Sequence, residues 1–223
     1  MSASPASGSD RARAISTIVS AFRADPVERW LFPDDERYRA YFPEFVAAFA
    51  GEAFSRQTVY MLDEYAAVSV WLAPGSAPDG EAIEAVLRRG VAPAKHADTF
   101  AVLGQMDKAH PAFPHWYLPW LGVRADRQGT GLGGRLLSEG LTRVDADRLP
   151  AFLETPNPRT VPFYERHGFE IAGVAQAGRC PPITLMLRRA SPAAGSYSAA
   201  PSRDMHYLRR GSPTARRDLR FPA

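Results

Sequence analysis

The chain has 223 residues, 45% of them hydrophobic, which is enough for one domain with a sizeable core. Its formal net charge is +3, but residues 191–223 hold six Arg and two Asp, a surplus of +4, so residues 1–190 sum to about −1 (3 − 4). The basic character therefore lies in the C-terminal tail, which excludes a basic nucleic-acid-binding stripe elsewhere and predicts no specific nucleic-acid partner.

Membrane and secretory segments are not predicted. No apolar run approaches the roughly 20 residues that span a bilayer, and the first residues are small and polar without an apolar signal region. Cys180 is the single cysteine, which excludes an intrachain disulfide and suits a reducing compartment. We therefore expect a cytoplasmic protein with no membrane partner.

The first half of the chain is predicted to be mainly helical. Residues 1–10 are small and polar and are predicted to be disordered. Apolar residues at three- and four-residue spacing predict helices, and strand-favouring residues on either side of Asp63-Glu64 predict a hairpin. The helices are expected at residues 11–23, 36–54, 81–89 and 93–108, and the hairpin strands at residues 58–62 and 66–72.

The second half alternates strands and helices. A strand at residues 117–123 leads into a glycine-rich turn and a helix that ends near Arg148. Four elements are expected after that helix. They are a strand at residues 151–154, a short helix at 160–166, and two strands at 169–176 and 184–189. This order predicts an α/β (α+β) domain over residues 11–190, with a mixed sheet and helices on its faces. Residues 191–223, rich in Ser, Ala, Pro and Arg, are predicted to be a disordered tail.

The turn between strand and helix is the most informative stretch. It carries Gly129, Gly131, Gly133 and Gly134 within six positions. The first N–H groups of a helix have no partner inside it, and glycines let a phosphate approach them without meeting side chains. The spacing does not fit a GxGxxG dinucleotide fingerprint, and the Gly-Lys-Ser/Thr ending of a P-loop is missing. The turn is therefore predicted to bind a pyrophosphate by another arrangement.

One known arrangement does fit. The pattern Gln128-x-x-Gly131-x-Gly133, which begins five residues after Val123, resembles the acetyl-CoA motif of the GNAT N-acetyltransferase superfamily. A second motif follows, in which Asn157 precedes a short helix with the pair Phe163-Tyr164. It resembles the GNAT element that carries an aromatic-Tyr pair and then Gly-Phe. Over residues 11–190 the chain most resembles the puromycin N-acetyltransferase-like group of that superfamily.

The resemblance implies a fold as well as a cofactor. A GNAT domain has a mixed, mostly antiparallel central sheet flanked by helices. The group usually begins with a strand before its first helix, and residues 1–10 contain no convincing strand. We therefore expect the first edge strand to be missing. Pro158 and Pro162 depart from the family pattern, and they leave the start of the short helix undefined.

The resemblance also implies roles for individual residues. The N–H of Leu121 would donate to the thioester oxygen, Val123 would hold the pantetheine arm, and Tyr164 would protonate the thiolate leaving group. The residues that it assigns to acetyl-CoA are Leu121, Val123, Gln128, Gly129, Thr130, Gly131, Gly133, Gly134 and Asn157.

The general base is left open. Glu154, at the end of its strand, is the first candidate, with a purely structural carboxylate as the alternative. His115 and His110 are weaker candidates, and Glu64 in the hairpin turn is weaker still.

These observations predict an acetyl-CoA-dependent N-acetyltransferase that moves an acetyl group to a primary amine of a small molecule, by direct attack in a ternary complex. We expect no metal site, and a monomer or homodimer. Two alternatives remain: a non-catalytic acyl-CoA-binding or sensory module, and an acetyltransferase for protein lysines or N-termini.

Overall fold

A seven-stranded sheet forms the centre of the computed structural model, which describes residues 3–191. In chain order the strands are β1 (Ser4–Pro5), β2 (Val59–Leu62), β3 (Ala67–Leu72), β4 (Trp116–Val123), β5 (Ala151–Thr155), β6 (Phe169–Ala175) and β7 (Ile183–Arg188). Their order across the sheet is β1-β2-β3-β4-β5-β7-β6. All neighbouring strands are antiparallel except β4 and β5, which are parallel. The predicted mixed, mostly antiparallel sheet is confirmed.

Helices cover both faces of the sheet. They are α1 (Arg11–Ala21), α2 (Pro26–Leu31), α3 (Asp35–Ala50), α4 (Gly80–Gly90), α5 (His96–Ala109), α6 (Leu132–Asp147) and α7 (Val161–Glu165). One hydrophobic cluster packs α1, α3, α4 and α5 against one face, and a second packs α6 and α7 against the other. No helix among residues 3–191 is both long and apolar enough to cross a membrane.

The N-terminal prediction was wrong. We expected residues 1–10 to be disordered and the first edge strand to be missing, but among residues 3–10 Ser4 and Pro5 pair with Met61 and Tyr60 of β2. Residues 1–2, and the predicted tail from residue 192 onward, lie outside the described residues. The Ala6 N–H also donates to the Val59 carbonyl over 2.8 Å, and the Ala6 side chain is buried. A two-residue strand is held by main-chain bonds alone, so its sequence shows no alternating pattern that could have revealed it.

Helix α2 was also missed. The Asp25-Pro26 pair indicated only the end of the preceding helix, yet Pro is favoured at the first position of a new helix. The Asp25 carboxylate caps that helix by accepting from the N–H groups of Val27, at 3.0 Å, and Glu28, at 3.3 Å. The helices and strands predicted between residues 11 and 190 are all present, with ends that shift by a few residues.

Strand β4 contains a β-bulge. Tyr117 lies opposite Leu72 and Trp120 opposite Val70, so Leu118 and Pro119 together face the single residue Trp71. The extra residue reverses the side-chain alternation of the strand. As a result β4 changes direction at the point where its pairing with β5 ends, after Leu118.

Candidate active site

The site is a cavity of about 1350 Å³ that opens where β4 and β5 part. The two strands pair only from Trp116 to Leu118, opposite Ala151 to Leu153. Beyond Leu118 the strands diverge, and β4 keeps a partner only on its β3 side. Pro119, which has no N–H to offer, lies at the point of divergence.

The divergence leaves main-chain groups of β4 facing the cavity. Arg124 donates its N–H to the Ala66 carbonyl of the neighbouring chain segment over 2.8 Å. Because hydrogen bonding alternates along an antiparallel strand, Gly122 also points its N–H toward β3, whereas Leu121 and Val123 point theirs away from it. Both residues line the cavity. The N–H groups of Leu121 and Val123 therefore point into the space between the diverging strands.

The glycine turn forms one end of the cavity. Gly129 and Gly131 have φ angles of +74° and +82°, and a Cβ on either would meet nothing within 4 Å. Gly131 is the N-cap of α6 and offers no side chain to cap its N–H groups. The Gln128 amide donates to the Val123 carbonyl over 3.1 Å, which fixes the turn to the strand. This end of the cavity is suited to an anion.

Most residues predicted to contact acetyl-CoA lie on this one cavity wall. They are Leu121, Val123, Gln128, Gly129, Gly131, Gly133, Gly134 and Asn157. Thr130 is in the turn but not among the residues that line the cavity, and its hydroxyl donates to the Arg127 carbonyl over 2.6 Å. Asn157 caps the turn before α7, where its side chain accepts from the Arg159 N–H over 3.1 Å.

Tyr164 lies on α7 and faces the same cavity. Burial, and then the charge on Asp25, raise the pKa of its phenol, so the group remains protonated across the neutral range. Gly168 follows α7 with a φ of +84°, the left-handed conformation that glycine favours just after a helix. The phenol is thus a protonated donor in an enclosed site.

The base candidates separate clearly in space. Glu154 lines the cavity, and its side chain is only 5% exposed. Its Oε1 lies 3.1 Å from Nε2 of His110, without the alignment of a hydrogen bond. His110 Nδ1 lies 3.4 Å from Nε2 of His115. Glu64 lines a different, smaller pocket beside α1, so it is far from the other candidates.

Two aromatic residues enclose this carboxylate–histidine group. The His110 ring contacts Tyr117 edge-on, with 4.6 Å between centroids, and Phe152 at 4.7 Å. Burial, and then the charge on Glu154, raise the pKa of Tyr117. Burial lowers the pKa of His115, which favours its neutral form.

Two acidic residues on the cavity wall were missed at the sequence level. Asp25 and Glu28 lie at the start of α2, both almost fully buried. Burial raises the pKa of Asp25 to about 6, against two backbone hydrogen bonds that lower it. Burial, and then the charge on Asp25, raise the pKa of Glu28 well above its ordinary value. Asp-x-x-Glu signals only a helix start, so nothing local revealed a site.

The aromatic residues of α3 and the cysteine add no reactive group to the cavity. Only Phe45 and Phe49 of the aromatic residues in α3 line the cavity, and the rest pack in the core. Cys180 lies on the wall, but burial and the charges of Asp98 and Glu28 raise its pKa to about 11, which disfavours a thiolate nucleophile. Residues 3–191 contain no group of three or more His, Cys, Asp and Glu side chains that could hold a metal ion.

Comparisons with known proteins agree with this architecture. Residues 94–171 match a family model described as an acetyltransferase (GNAT) domain. An uncharacterised N-acetyltransferase of Schizosaccharomyces pombe is 26% identical over 190 residues, which cover 76% of this chain and 74% of the relative.

Solved structures are similar in fold. A Corynebacterium glutamicum structure described as histone acetyltransferase HPA2 and related acetyltransferase has a TM-score of 0.59 at 24% identity, and covers 87% of this chain and 99% of its own. The C-terminal condensation domain of Ebony, in complex with beta-alanyl-dopamine, has a TM-score of 0.62 at 12% identity, over 83% of this chain and 97% of its own. At such identities the likeness concerns the fold alone.

Proposed function

We propose that this chain, whose residues 94–171 match a GNAT acetyltransferase domain, transfers the acetyl group of acetyl-CoA to a primary amine of a small molecule, by direct attack in a ternary complex. The observation that carries the proposal is one cavity lined by the glycine turn, the main-chain donors of β4, Tyr164 and Glu154. The cavity therefore brings together main-chain donors suited to a coenzyme, a candidate acid and a candidate base.

The residues present suit acetyl-CoA. The space where a Cβ of Gly129 or Gly131 would stand is open, and the uncapped N-terminus of α6 favours a pyrophosphate. Val123 and Asn157 would hold the pantetheine arm. Bound acetyl-CoA supplies an acetyl group activated as a thioester.

Each remaining residue has one task. The Leu121 N–H donates to the carbonyl oxygen of the acetyl group as negative charge develops there. Glu154 accepts the proton that the amine loses as its nitrogen bonds to the acetyl carbon. Tyr164 donates a proton to the sulfur as the carbon–sulfur bond breaks. Atoms and charges balance, since one proton leaves the amine and one reaches the thiol.

The surroundings of Glu154 support its role as base. His110 lies against the carboxylate and His115 against His110. The histidines offer a route by which the proton can leave a carboxylate that is itself buried. His110 and His115, which the sequence offered only as weaker candidates for the base, become positioning and relay residues in this proposal, and Glu154 remains the group that meets the amine.

The shape of the acceptor region favours a small molecule. Helices α2, α3 and α5 contribute side chains to the cavity wall in addition to those of β4, β5 and the glycine turn. Apolar side chains from these helices enclose a chamber suited to a compact acceptor, whereas a peptide would require an extended groove.

The decisive experiment measures thiol release when the purified chain is mixed with acetyl-CoA and a panel of small amines, with a lysine-containing peptide as comparison. We expect release with at least one small amine and none beyond background with the peptide. Tight acetyl-CoA binding without release for any acceptor would favour the sensory-module alternative.

A further inference from the structure

One carboxylate on the cavity wall, that of Glu28, has an oxygen with no hydrogen-bond partner among residues 3–191. Glu28 is 5% exposed, and its Oε2 atom is buried without a hydrogen-bond partner. Among residues 3–191, Glu28 forms no ion pair. Burying a carboxylate in this way costs stability unless something pairs with it.

A capping role does not explain this carboxylate. In a capping box the Glu at the third helical position would accept from the N–H of the N-cap residue. Here the N–H of Asp25 donates instead to the Phe22 carbonyl, over 2.9 Å. Asp25 itself caps α2, whereas Glu28 has no comparable structural bond.

Neighbouring polar groups are already engaged elsewhere. Tyr38, whose pKa is raised by burial and then by the charge on Glu28, donates its hydroxyl to the Val19 carbonyl over 2.8 Å. Thr99, on the cavity wall, donates to the Lys95 carbonyl over 2.8 Å. Arg29 contacts Asp35 at 3.2 Å and the Pro33 carbonyl at 2.8 Å. The free Oε2 of Glu28 is left for a ligand.

We propose that Glu28 binds a second cationic group of the acceptor, so that the preferred acceptors are aliphatic diamines. This inference rests on the proposed transfer of an acetyl group to a small amine. One amine reaches Tyr164 and Glu154, while the other, as an ammonium group, pairs with Glu28. Glu28, Tyr164 and Glu154 all line the same cavity, so one molecule can contact them together.

The wall near Glu28 suits the carbon chain of such a molecule. Val102, Leu103 and Met106 of α5, together with Ile183 and Leu31, line the same cavity as Glu28. They can contact methylene groups but offer no hydrogen bonds to polar substituents. A cavity wall that combines apolar side chains with a carboxylate is complementary to an alkyl chain that ends in an ammonium group.

The free protein tolerates Glu28 because the carboxyl can hold a proton. Its raised pKa means that the neutral form persists where an exposed Glu would be ionised. An arriving ammonium group replaces that proton and converts a burial cost into an ion pair.

Paired acceptors test the inference. The full chain is assayed for thiol release with diaminobutane against butylamine, and with diaminopentane against pentylamine. A charge-assisted bond predicts a kcat/KM about ten- to a hundredfold higher for the diamine, well beyond the factor of about two that its second amine supplies statistically. Glu28→Gln should reduce this ratio to about two, with kcat/KM for the monoamine little changed.

Controls make the test specific. Glu36→Gln makes the same chemical change on an exposed residue in the first turn of α3 and should keep the ratio. Glu28→Met gives a second, apolar variant in case Glu28→Gln does not fold. A ratio that is unchanged in a folded Glu28 variant overturns the inference, as does a wild-type ratio near two.

Calorimetric titration of diaminobutane separates this inference from the proposed function. Binding that weakens about tenfold or more in Glu28→Gln supports the Glu28 site even if no amine is acetylated. Acetylation of amines with no dependence on Glu28 leaves the proposed function intact and refutes the diamine site.

Discussion

The Nε2 atom of His110 lies 3.1 Å from Oε1 of Glu154. His110 directly follows α5 and Glu154 lies in β5, so the contact joins two elements that are distant along the chain. A histidine beside a buried carboxylate can hold it in place and accept a proton from it. The pair therefore supports Glu154 as the proposed base, because His110 can orient the carboxylate and take up its proton.

Replacing Glu154 by Gln should lower kcat by about a hundredfold or more, because general-base assistance contributes about 10² to 10⁴. The variant should also lose the limb of the pH–rate profile on which activity rises with pH. Glu165→Gln, an exposed neighbour of Tyr164, serves as the control and should keep the profile. A retained rising limb in Glu154→Gln argues against the base role.

His110→Gln should lower kcat less than Glu154→Gln does, because His110 acts through the carboxylate. If the two side chains function together, the double variant will be no slower than Glu154→Gln alone. Steady-state rates of the four proteins complete the cycle. Additive losses would mean that the 3.1 Å contact has no role in turnover.

Tyr164→Phe should reduce kcat about ten- to a hundredfold, because sulfur would lose its proton donor while the aromatic packing remains. The dissociation constant for acetyl-CoA should stay within about twofold of wild type. Tyr41→Phe removes a phenol from a ring that stacks on Phe32 and does not line the cavity, so its kcat should not change. An unaltered kcat in Tyr164→Phe would refute the acid assignment.

Gly131→Ala should weaken acetyl-CoA binding. The φ of +82° strains any L-residue by about 1–2 kcal/mol, and the new Cβ would stand in the open space proposed for the pyrophosphate. Gly75→Ala is a close control, since Gly75 has a φ of +81° and a Cβ added there would also meet nothing within 4 Å. Both variants should lose similar stability in thermal unfolding, but only Gly131→Ala should raise the Kd for acetyl-CoA.

Asp25→Asn should become more stable relative to wild type as the pH rises. The pKa of Asp25 is raised from an ordinary 3.8 to about 6, so the folded state holds its proton more tightly than the unfolded state does. Its contribution to stability is complete below about pH 4 and is lost as the pH rises through about 6, by on the order of 3 kcal/mol. Asn can still cap α2.

Chemical denaturation of both proteins between about pH 4 and 7 measures this difference. The pKa of Glu28 is also raised, in part by the charge on Asp25, so removal of that charge lowers the pKa of Glu28 as well. A free-energy difference between wild type and Asp25→Asn that does not vary with pH would contradict the raised pKa of Asp25.

Local sequence was sufficient to predict much of this protein. The strand, glycine turn and helix around Gly131 follow from residue preferences over a few positions, as does the left-handed turn at Gly168. The acetyl-CoA motif was recognisable because its donors are main-chain groups, whose positions depend on local conformation. Those predicted residues, Thr130 excepted, line one cavity.

Contacts between distant segments were decided only by the tertiary structure. His110 and Glu154 meet because β4 and β5 are parallel neighbours and α5 ends above them. The strand at Ser4–Pro5 exists because β2 offers it hydrogen bonds, and Glu28 joins the cavity wall because the fold brings α2 to the same cavity as β4 and β5. The residues and their spacing along the chain were enough to predict the coenzyme motif. The environment of each acid and base was decided only by the folded arrangement, because burial and charge pairing depend on which elements pack together.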